Sequence, residues 1–119
     1  MRTADHSFGQ AAAEGDWADQ TRRMLTRDLL LRAHVAQPTE GHALEFRAMH
    51  LNLPLVREIA DRLGLDDSDR AAVEHDAMDG LVVALRAFDP RGPEDFADYA
   101  SPFVEAEIRR ALHVRAGRA

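Results

Sequence analysis

The residues that could do chemistry are few, and their spacing decides what that chemistry would be. His75 and Asp79 stand four apart, with Glu74 and Asp76 beside them, so on a helix an imidazole and a carboxylate share one face. That is the beginning of a metal site and no more. There is no His-Glu-x-x-His pattern, no cysteine and no second pair at ligand spacing. The group reads as a solvated polar face, with no metal and no cofactor. Ser7, Ser68 and Ser101 lie in no Gly-x-Ser-x-Gly elbow, which leaves a nucleophilic triad without support. No Walker or dinucleotide glycine pattern occurs. Glu105 and Glu107 are two apart and point to different sides of a helix, so they do not clamp one bond. The chain does not read as an enzyme.

The aromatic residues say more. Phe96, Tyr99 and Phe103 recur at three-to-four spacing, which fits a buried helical stripe. It fits equally a platform for unstacked bases, each stack worth about 1–3 kcal/mol. Arg109 and Arg110 follow about two turns on, placed to meet a phosphate backbone or to complement a helix C-terminus. Spacing alone leaves both readings open.

The elements that must position these residues are helical. Asp16 can cap a first helix from about Trp17, whose apolar residues Met24, Leu25, Leu29, Leu31 and Val35 make one broad face. Pro38 and Gly41 end it. A second helix, with Thr39 as candidate cap, carries Leu44, Phe46, Met49, Leu53, Val56 and Ile59, with a kink expected at Pro54. Gly64 suits a left-handed C-cap. A third helix follows the acidic turn Leu65-Asp66-Asp67-Ser68-Asp69, where Asp66, Ser68 or Asp69 could cap it. Its stripe runs through Val73, Ala77, Leu81, Ala84 and Leu85, and Gly80 marks a close helix crossing. Asp89-Pro90-Arg91-Gly92-Pro93 stops that helix, and a fourth starts near Glu94, with a kink or restart expected at Ser101-Pro102. No segment alternates with period two. The expected fold is all-α: a single compact bundle of about four helices over 16–116, preceded by a flexible arm at 1–15.

The totals narrow the class. At 119 residues the chain makes one domain with a modest core. No apolar run approaches the roughly 20 residues of a membrane span, and the N-terminus does not read as a signal peptide. The absence of cysteine fits a cytoplasmic protein. A net charge of −6 argues against a protein that grips nucleic acid alone, though not against one held on DNA by a larger partner.

Taken as a unit, Gly80-Leu81-x-x-Ala84-x-x-Ala87-Phe88-Asp89-Pro90-Arg91-Gly92, then Phe96-x-x-Tyr99-Ala100-x-Pro102, then Glu107-Ile108-Arg109-Arg110, resembles region 2 of sigma-70 family bacterial RNA polymerase sigma factors. It is closest in pattern to the stress-response and sporulation group. Asn52-Leu53-Pro54-Leu55-Val56-Arg57-x-Ile59-Ala60 resembles the first segment of the same region. The likeness covers roughly residues 25 to 115. It implies a transcription initiation factor whose third helix docks on the β′ coiled coil of RNA polymerase core and whose fourth helix recognises and melts the −10 promoter element.

By this resemblance Phe96 and Tyr99 take the positions of the melting aromatics, with Tyr99 stacking on a flipped base. Phe103 lies at the upstream edge of the melted segment, and Arg109 and Arg110 are DNA-facing. His75, Asp76, Met78 and Asp79 fall where the family contacts polymerase. Promoter DNA and polymerase are the implied partners, with an anti-sigma factor or a companion sigma protein as a third. No C-terminal helix-turn-helix domain is expected. The chain departs from the pattern at Ala72-Val73-Glu74-His75, where the family opens Asp-Leu-x-Gln, and at Glu94, Asp95 and Glu105, where it has basic, aromatic or small residues. The alternative is therefore a degenerate sigma-like module that binds polymerase or an anti-sigma factor as a competitor, without melting a promoter.

Overall fold

Prolines fix where two of the helices begin. Pro38 and Pro54 each stand in the first turn of a helix, where a backbone N–H would have no intrahelical partner anyway. A computed structural model describes the backbone of residues 2–118 and the side chains of residues 17–117. It contains five helices: α1 (Arg2–Val35), α2 (Pro38–Leu51), α3 (Leu53–Arg62), α4 (Asp67–Ala87) and α5 (Phe96–Arg118). The described residues are all-helical, with no strand. None of the helices is long and apolar enough to cross a membrane. The expected arm at 1–15 falls on residues whose side chains lie outside the described range, and the trace of α1 begins before Trp17.

The helix count exceeds the expected four because Pro54 does not kink one helix. Instead the chain breaks at Asn52, which closes α2. The Asn52 amide is buried, yet it donates to Thr26 Oγ1 and to the Ala48 carbonyl, each at 2.8 Å. Thr26 in turn donates to the Arg22 carbonyl at 2.8 Å. A buried amide costs stability unless its donors are used. Here the bonds tie the α2–α3 break to the middle of α1.

Helix ends follow local chemistry. Gln37, not Thr39, precedes α2. Gly64 takes φ +70°, and Leu65 and Gly64 donate back to the Ala60 and Asp61 carbonyls, which makes a Schellman end to α3. Asp66 caps α4 by accepting the Asp69 N–H at 2.7 Å. Asp95 starts α5 by accepting the Ala97 N–H at 3.2 Å. Pro102 lies inside α5, which neither ends nor restarts there. Ser101 Oγ donates to the Ala97 carbonyl at 2.7 Å, a back-bond to the preceding turn just before the proline.

One core joins all five helices, with Ile59, Leu81, Val104 and Ile108 among its deepest side chains. The expected buried face of α1 is mostly the wrong one. Leu29 and Leu30 are buried with Thr26, while Trp17, Met24, Leu25, Leu31 and Val35 stay exposed.

Candidate functional site

α4 and α5 form an antiparallel hairpin around the eight-residue joint 88–95, and its register is constant along the seam. Phe88 meets Phe96 edge-on at 5.3 Å beside the joint. In the middle, Gly80 lies against α5: a Cβ there would come within 2.9 Å of Glu107 Cγ and 3.1 Å of the Phe103 carbonyl. Further on, Asp76 faces Arg110 at 3.9 Å and Asp69 meets Arg115 at 3.2 Å. The glycine therefore marks the crossing expected for it.

The joint is held from outside the hairpin. Arg27 Nη1 donates to the carbonyls of Pro90 (2.5 Å) and Gly92 (2.8 Å), and Nη2 to that of Glu94 (2.7 Å). Arg23, one turn earlier, pairs with Asp95 at 2.6 Å and with Asp19 at 2.8 Å. The hydrogen bond from Arg23 holds the Asp19 carboxyl below its ordinary range. Asp89 accepts the Arg91 backbone N–H at 3.0 Å and its Nε at 3.2 Å. The backbone bond is the main cause of its lowered pKa. Three free carbonyls in a proline–glycine joint want a forked donor. The one sequence signal for that donor is the Arg23/Arg27 pair at helical spacing.

The three aromatics are not equivalent. Phe96 is 3% exposed, under Phe88 and inside the core, so its ring offers no face to a base in this arrangement. Tyr99 and Phe103 are half-buried with ring centroids 5.2 Å apart, and Tyr99 also leans on Phe88 at 5.3 Å. An aromatic ladder thus rises from the core through Phe88 and Tyr99 to Phe103.

The arginines are exposed but already paired. Arg109 donates to Glu105 at 3.1 Å. Arg110 donates to Glu107 at 2.8 Å, and that bond is the first cause of its raised pKa. Glu105 also lies 3.8 Å from Arg62 on α3. Two of the acids that depart from the sigma pattern have structural partners here: Asp95 starts α5 and anchors Arg23, and Glu105 links α5 to α3. A cleft of about 660 Å³ between the far ends of α4 and α5 contains Arg110 and Arg115, but both point at carboxylates of their own chain.

On α4 the four residues expected to face polymerase separate. His75 and Asp79 are exposed on the outer face, 3.9 Å apart, on one stripe with Val83 and Arg86. Asp76 turns toward the α5 seam and Met78 is partly buried against the core. Among the described residues no group of three potential metal ligands comes together. No family model, no curated protein and no solved structure matches the chain.

Proposed function

We propose that the protein is a sigma-like transcription factor that docks on RNA polymerase core and touches promoter DNA through aromatic rings rather than through a basic surface. The observation that carries this reading is the ladder ending in Tyr99 and Phe103, whose half-exposed rings stand beside a joint fastened by Arg27. Such rings suit an unpaired base once a partner delivers it. A chain of net charge −6, with Arg109 and Arg110 facing carboxylates, has little to offer phosphates by itself, so the grip on DNA falls to the partner. The docking surface in this reading is the α4 stripe of His75, Asp79 and Val83.

A second reading, a module that binds polymerase or an anti-sigma factor without touching DNA, is favoured by the Glu105–Arg109 and Glu107–Arg110 pairs. Polymerase binding, in either reading, has one test. Titration of the purified chain with core polymerase should give binding at micromolar concentration, weakened at least tenfold by Asp79→Arg. No binding at 100 µM would remove the polymerase reading.

A further inference from the structure

Six of the eight large hydrophobic side chains left exposed among the described residues belong to α1 and α2: Trp17, Met24, Leu25, Leu31, Val35 and Phe46. The exposures are large: 68% at Trp17, 71% at Met24, 83% at Val35 and 60% at Phe46. On α1 they have an order. Trp17, Met24 and Leu31 recur at intervals of seven, and Val35 follows one turn later, on the side of the helix away from Thr26, Leu29 and Leu30. Seven-residue spacing is that of a helix-pairing seam. Leu25 and Phe46 widen the stripe to one side, across a groove of about 510 Å³ between α1 and α2 that Asp28, Arg32, Arg47 and His50 also line. Large apolar side chains exposed in this number on one face are uncommon on a chain that stays alone.

We infer that this face is a homodimer interface in which α1 pairs with α1 of a second copy, antiparallel. A seam on one long helix is complementary to itself about a two-fold axis, as an isologous contact requires. Covering the six side chains would bury on the order of 700 Å² per chain, close to the roughly 800 Å² per partner of a stable interface. Asp28 sets the direction, since it is the acidic residue on the line of the seam, with Arg32 at its edge. Parallel pairing would bring two Asp28 carboxylates to the same level, whereas antiparallel pairing sets Asp28 beside the partner's Met24 and Trp17 beside the partner's Val35. Arg32, 3.8 Å from Asp28 on the same helix, balances that charge in place. The inference does not depend on the polymerase reading, because it uses no residue of α4 or α5.

Sedimentation equilibrium of the full chain between about 1 and 100 µM tests it. The mass should rise with concentration toward twice 13.3 kDa. Met24→Glu should raise the dissociation constant at least tenfold while leaving the far-ultraviolet circular dichroism unchanged, because the side chain is exposed in the single chain. Val83→Glu, on α4, should leave the dimer as it was. A monomer throughout, or a dimer indifferent to Met24→Glu, would overturn the interface. Direction is read from Val35→Cys in a chain with no other cysteine. Antiparallel pairing keeps the two thiols about 27 Å apart along the helix, so no disulfide dimer should form on oxidation. Rapid formation of one would overturn the antiparallel arrangement.

Discussion

In the α4–α5 hairpin, side chains that could have faced a ligand are engaged within the chain: Phe96 and Phe88 close the core, and the exposed Arg109 and Arg110 meet acids of their own helix. Along α1, side chains that could have built a core turn outward, and the polar Thr26 takes the buried position instead. The difference teaches that residue type at helical spacing does not say which face is used. Neighbouring helices decide that. For α1 the decisive neighbour is the break at Asn52, whose amide needs a hydroxyl partner and so draws Thr26 inward.

The sharpest way to break this comparison is to truncate one large apolar side chain on each side. Phe96→Ala should cost about 3–5 kcal/mol, since it empties a fully packed site, whereas Met24→Ala, measured at low concentration, should stay within about 0.5 kcal/mol. Urea denaturation of both variants gives the answer, and equal losses would remove the distinction. Gly80→Val comes next, at about 1–3 kcal/mol, because the new side chain meets the Phe103 carbonyl, which cannot yield without moving α5. A lowered melting temperature with unchanged helix content is expected.

Arg27→Met keeps the aliphatic stem and removes three bonds to the joint. A loss of about 1–2 kcal/mol is expected, below the sum of charged hydrogen bonds because the site is partly open to water. Hydrogen exchange should quicken across 88–97 and little elsewhere. The smallest effect is with pH. Asp19 and Asp89 have carboxyls held below the ordinary aspartate value, so they favour the folded state above that value. Their contribution is lost as pH falls through it toward the lower folded values. Chemical denaturation should show stability declining in that acidic window, less steeply for Asp89→Asn than for the parent chain.

Much of the framework is legible in the sequence, where a residue has only one cheap conformation or contact. Gly64 and Gly80 are such cases, and so is the stop at Asp89-Pro90. Pro54 was ambiguous because the same ring kinks a helix from within or opens one in its first turn, and only the Asn52 bonds select the second. The Arg27 clamp was not legible because its partners are backbone carbonyls more than sixty residues away, which carry no residue-type signal. Of the candidate site, the clustering of Tyr99 and Phe103 follows from spacing. The burial of Phe96 and the pairing of Arg109 and Arg110 depend on which way each helix is turned.

In the proposed function, contact with DNA within a polymerase complex rests on the aromatic ladder and not on the paired arginines. The direct measurement is the affinity of the polymerase complex of this chain for a single-stranded −10 non-template oligonucleotide. Tyr99→Ala should weaken it by the worth of a stack, about 1–3 kcal/mol, with Tyr99→Phe close to the parent, while Arg110→Ala should change it less than twofold. An affinity untouched by Tyr99→Ala and lowered by Arg110→Ala would contradict the account.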